Sequence, residues 1–83
     1  MITKEIQNLL KTSLSLKEIK VKGDTKHLEI IAIDNIFQNK SEVEKQKIIY
    51  TQLMNYITEN KIHSISIKTY SIQEWKNKKI TKK

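Results

Sequence analysis

Ile2, Ile6, Leu9 and Leu10 fall at i, i+4, i+7 and i+8, with Lys4, Gln7, Asn8 and Lys11 outside that face. Apolar residues at this spacing predict an amphipathic helix at the start of the chain. Leu14 and Leu16 are expected to cover the helix end as the chain turns. The period then changes. Ile19 and Val21 alternate with Glu18, Lys20 and Lys22, which predicts a half-buried strand. Residues 23–26, Gly-Asp-Thr-Lys, read as a turn, because glycine permits positive φ and aspartate can bond its own backbone. Leu28, Ile30 and Ala32 alternate with His27, Glu29 and Ile31 in a second strand, and the two strands form a hairpin. Residues 34–37 have room for one helical turn.

Ser41 and Glu44 have capping-box spacing and open the longest predicted helix, which stops at Asn60. Val43, Ile49, Tyr50, Leu53, Met54 and Ile57 read as its buried face. The stretch at residues 61–75, KIHSISIKTYSIQEW, organises the rest. Its strand is predicted to bury the face of His63, Ile65, Ile67 and Thr69 and to turn Ile62, Ser64, Ser66 and Lys68 outward. Ser71 and Glu74 form a second capping box, so a short helix starts there and brings Trp75 back towards the sheet. A crossover through the long helix makes the third strand parallel to the second. The prediction is an α+β fold: a three-stranded mixed sheet with helices packed on one face.

Eighty-three residues make one small domain, placed at residues 1–75. All 16 basic residues are lysine, with no arginine or proline, a pattern that reflects AT-rich codons. Five of the lysines lie in residues 76–83, beside no acid, so most of the net charge of +7 belongs to a basic tail expected to be solvated and disordered. There is no cysteine, hence no disulfide, thiolate nucleophile or thiolate metal ligand. No basic leader precedes an apolar core and no apolar run reaches membrane-spanning length, so a soluble, cytoplasmic protein is expected.

Three stretches carry a resemblance to a known family. GDTKHLEI at residues 23–30 is similar to a G-D-x-S-H-F motif. FQNKSEVEKQKIIY at residues 37–50 is similar to F-x-G-x-S-x-V-x-R-H-R-x-V-Y, and the 61–75 stretch to an I-H-S/A strand followed by T/S-x-x-E-W. Together they resemble the BolA family, most closely its IbaG branch, over residues 5–75. The resemblance implies an αββααβ fold like a type II KH domain. Asn39 stands where the family usually has glycine, Lys45-Gln46-Lys47 replaces R-H-R, and Ile72 replaces a proline.

The chain has two histidines, His27 and His63. Taken alone, the ordinary reading of each is structural: His63 as a strand-start residue, His27 as a loop residue in water. Parallel second and third strands would put both at one sheet edge, about 5 Å apart by strand spacing. Parity opposes a simple pair, because His27 shares a face with Glu29 and His63 one with Ile65. Two imidazoles cannot complete a zinc or iron–sulfur site, so any metal must be shared with a second molecule. The resemblance supplies one: a monothiol glutaredoxin that, with glutathione, holds one iron of a bridging [2Fe-2S] cluster while the BolA-like protein holds the other. It implies His63 and His27 as the metal ligands, a partner surface that includes Lys45 and Lys47, and a role in iron–sulfur trafficking or in iron and stress regulation.

The alternative is a nucleic-acid-binding regulator using the KH-like fold. Against it, no GXXG loop exists, and Glu42 and Glu44 offset Lys45 and Lys47 on the long helix. No nucleophile, base and orienting group can be assembled, so the expectation is a protein that is not an enzyme.

Overall fold

The computed structural model describes residues 2–81. Helix α1 (Ile2–Leu14) leads into β1 (Glu18–Gly23), β2 (Leu28–Ile33) and a 3-10 turn at Asn35–Phe37. Helices α2 (Glu42–Gln52) and α3 (Met54–Thr58), strand β3 (Ile65–Tyr70) and helix α4 (Ile72–Thr81) follow. The sheet order is β1-β2-β3. β1 and β2 are antiparallel, with Val21 opposite Ile30, and β2 and β3 are parallel, with Ile30 opposite Ile67. This is the expected α+β arrangement with a mixed sheet.

The period-2 and period-3.6 patterns meet in one core. Val21, Ile30 and Ile67 lie side by side on one sheet face, and Ile6 and Leu10 of α1 join Ile49 and Leu53 of the α2–α3 segment against it. The Ser41 box forms in full: Ser41 Oγ accepts from Glu44 N–H at 3.1 Å, and Glu44 Oε1 accepts from Ser41 N–H at 2.8 Å. That backbone donation, with the hydroxyl contact behind it, lowers the Glu44 pKa. Ser71 and Glu74 build the same box for α4. Asn39, at φ 61°, occupies the left-handed region in which glycine is usual and asparagine is the best substitute. Ile72 uses the N–H that a proline would lack, donating it to Asn35 Oδ1 at 3.2 Å.

The long helix differs from expectation in two ways. It breaks at Leu53, whose backbone leaves helical geometry at φ −102° and ψ 4°. Its apolar residues also form two stripes instead of one. Lys45, Ile49 and Leu53 face the sheet, whereas Val43, Tyr50 and Met54 are 75, 40 and 44% exposed. Residues 43, 50 and 54 are spaced i, i+7 and i+11, a stripe displaced from the core stripe by about 120° around the axis. The buried stripe begins at a lysine because its alkyl stem packs inward while its ammonium reaches out to the exposed Glu42 at 2.8 Å.

Helix α4 also departs from expectation, since residues 76–81 continue it where a solvated tail was expected. Residues 82–83 of that tail lie outside the described residues. Trp75 and Tyr70 bring their rings within 5.3 Å, and Lys20 Nζ lies 5.2 Å from the Trp75 ring. Tyr70 and Lys20 alternate with the core-facing residues, so α4 lends its tryptophan to the other sheet face. Ile33, opposite Tyr70 in the ladder, is only 1% exposed although it belongs to that outer face.

The two stripes predict opposite outcomes in urea unfolding. Leu53→Ala should cost about 3 kcal/mol, and Val43→Ala less than about 0.5 kcal/mol; equal losses would refute the two-stripe assignment. A second expectation concerns acid. The lowered Glu44 pKa contributes stability above the unfolded carboxylate range that is lost as pH falls through the folded value. The stability gap between the native chain and Glu44→Gln, followed by thermal melting, should therefore narrow below about pH 4.

Candidate functional site

Parallel pairing begins at Leu28 and Ile65, which are in register. Continuing the register one step back makes His27 the neighbour of Ser64. Leu28 N–H donates to Ser64 O at 2.9 Å, and His63 N–H to Thr25 O at 2.9 Å. These two backbone bonds hold the hairpin turn of residues 24–27 beside the segment that enters β3.

The turn is itself tightly specified. Asp24 Oδ1 accepts from the N–H groups of Lys26 at 2.9 Å and His27 at 3.2 Å, and Asp24 N–H donates to His27 O at 3.1 Å. Gly23 closes it at φ 104°, where a Cβ would overlap the His27 carbonyl oxygen. Glycine is therefore required twice, for its dihedral and for the close approach.

Both histidines sit at the expected edge, and both are exposed. The details differ from expectation. His63 lies two residues before the start of β3, so the strand alternation does not reach it. Ile62, expected to face solvent, is instead 5% exposed and part of the core. The His27 ring is engaged by neither His63 nor water-facing isolation but by a side chain, with Nδ1 2.8 Å from Ser64 Oγ. Sequence reasoning missed Ser64, and only the β2–β3 register could have revealed it.

Of the two lysines expected on a partner surface, the structure exposes one. Lys45 is 7% exposed, and its pKa is raised by the bond to Glu42. Lys47 is exposed and lines an open groove with Val43, Gln46, Tyr50, Thr51 and Met54. Gln46 also donates from Nε2 to Ile67 O at 2.9 Å, which ties α2 to the outer edge of β3. The Tyr56 hydroxyl donates to Glu5, linking α3 to α1, and that bond raises the Tyr56 pKa.

Chemically, the edge offers two imidazole donors. Among the described residues no group of three His, Asp or Glu side chains could hold a metal ion. The donor set suits one end of a shared centre and not a self-contained site.

A family model described as BolA-like protein matches residues 4–74. The acid stress protein IbaG of Escherichia coli is 46% identical over 71 residues, covering 86% of this chain and 84% of that one. Among solved structures, BolA1 from Mus musculus superimposes with a TM-score of 0.82 at 14% identity, over 94% of this chain and 71% of that one. The BolA domain of SufE1 from Arabidopsis thaliana gives 0.78 at 22% identity, over 88% of this chain and 94% of that one.

The turn that carries His27 can be tested directly. Gly23→Ala should cost more than about 1 kcal/mol in thermal unfolding, because positive φ and the overlap act together. It should also shift the His27 and His63 amide resonances. A neutral substitution would mean that the turn is not held as described.

Proposed function

The chain belongs to the BolA family, and on that premise we propose that it is a non-enzymatic partner of a monothiol glutaredoxin, sharing a bridging [2Fe-2S] cluster. His63 and His27 provide the nitrogen ligands to one iron. The glutaredoxin and glutathione provide thiolates to the other. The observation that carries the reading is the pair of backbone bonds, Leu28 to Ser64 and His63 to Thr25, which keeps both histidine-bearing segments at one exposed edge. The donor count also fits. An iron in such a cluster already has two bridging sulfides and lacks two ligands, and imidazole pairs serve there in Rieske centres.

The rest of the reading follows from that site. The cluster is cargo, so the protein acts in iron–sulfur trafficking or in iron and stress regulation, in keeping with a relative named as an acid stress protein. We place it in the cytoplasm with the glutaredoxin; no helix of the described residues is long and apolar enough to cross a membrane. The partner face extends from the histidine edge over the exposed stripe of α3 and α2, through Met54, Tyr50 and Lys47. Lys45 is withdrawn from that face by burial, which also removes a lysine from any nucleic-acid reading of the helix.

The test is His63→Ala, co-purified with the host's monothiol glutaredoxin. His63 is exposed, so the variant should melt within a few degrees of the native chain. The visible circular dichroism of the shared cluster should collapse or revert to that of glutaredoxin alone. His27→Ala should do the same more weakly. An unaltered cluster spectrum in a folded His63→Ala heterodimer would sink the ligand assignment.

A further inference from the structure

We propose that Ser64 is a positioning residue for His27: its hydroxyl engages Nδ1 and leaves Nε2 as the nitrogen presented to a metal. The inference rests on the shared-cluster reading and adds the identity of the donor atom and of the group that selects it.

The observation is the contact of 2.8 Å between His27 Nδ1 and Ser64 Oγ, across 37 residues of sequence. The fold imposes it. His27 and Ser64 are the residues immediately before the first ladder pair, Leu28 and Ile65, and Leu28 N–H already bonds Ser64 O at 2.9 Å. Parallel register thus places the two side chains as lateral neighbours on the same side of the edge. The nearest carboxylate in the turn, Asp24, has its Oδ1 engaged by two backbone N–H groups. The serine hydroxyl is left as the ring's partner.

Serine suits the task because a hydroxyl both accepts and donates. When Nε2 gives its lone pair to a metal, the neutral ring carries its proton on Nδ1, and Ser64 Oγ accepts it. A histidine ligand is ordinarily oriented in this way through its second nitrogen, and loss of such a partner typically weakens metal binding 10–100-fold. The need is greater for an exposed ring, which otherwise samples several rotamers. His63 has a different anchor, its backbone N–H to Thr25 O. One ligand is therefore oriented by a side chain, and the other segment is fixed by the main chain.

The experiment compares the native chain with Ser64→Ala, Ser64→Thr and His27→Ala. Ser64→Ala keeps the backbone carbonyl that pairs with Leu28. In the free protein at about pH 8, where an ordinary imidazole is neutral, long-range proton–nitrogen correlation spectra read the ring nitrogens directly. Native His27 should show a hydrogen-bonded Nδ1, Ser64→Ala the averaged nitrogens of an unrestrained imidazole, and Ser64→Thr the native pattern. In the glutaredoxin heterodimer, Ser64→Ala should lose the cluster to a chelator roughly 10-fold faster, and Ser64→Thr should restore the native rate. Unchanged His27 nitrogens and an unchanged release rate in Ser64→Ala would overturn the positioning role while the ligand reading stands. A native cluster spectrum in His27→Ala would overturn the ligand reading at His27, and this inference with it.

Discussion

The parallel pairing of β2 with β3 is the constraint on which the rest depends. It aligns Leu28 with Ile65 and Ile30 with Ile67, so one register serves both the core and the edge. Parallel strands need a long connection, and the segment between them supplies it as α2 and α3. Ile49 and Leu53 hold that connection against the sheet, and Gln46 ties it to β3 through the Ile67 carbonyl. The same alignment, continued past the strand ends, sets the turn of residues 24–27 against residues 63–64. The histidine edge is thus a consequence of core packing rather than a separate device.

Rigidity at that edge comes from small polar contacts in place of buried area. Gly23 supplies the positive φ, Asp24 gathers the turn's amides, and two backbone bonds join the turn to the β3 entry. Each such bond contributes about 1 kcal/mol, which is modest singly. Together they fix two exposed segments that have little apolar surface of their own. An exposed edge with a fixed backbone is what a ligand shared between two proteins requires.

What could be read from the sequence was what is encoded locally. The hairpin alternation, the Gly-Asp turn and both capping boxes depend on residues within four positions of one another, and all appear as read. The same local patterns supplied the order of elements, and the resemblance agreed with it. Long-range choices were not legible. Val43, Tyr50 and Met54 looked as apolar as Ile49 and Leu53, and only the docking angle of the helix separates the two stripes. Lys45 was expected on the surface beside Lys47, although its stem is long enough to be buried with the ammonium outside. Residues 76–81 have no apolar period, yet lysine is a good helix former and the Ser71 box nucleates a helix that continues through them. Ser64 was invisible as the partner of His27, because no pattern within either segment specifies how the two strands align.

The central claim is that this chain binds iron through imidazole nitrogen. Pulsed electron paramagnetic resonance of the reduced complex with glutaredoxin, made with nitrogen-15 histidine in this chain alone, addresses it most directly. The account predicts strong hyperfine couplings from two imidazole nitrogens, the pattern of a centre with two histidine ligands on one iron. A reduced cluster with no strongly coupled histidine nitrogen would contradict it.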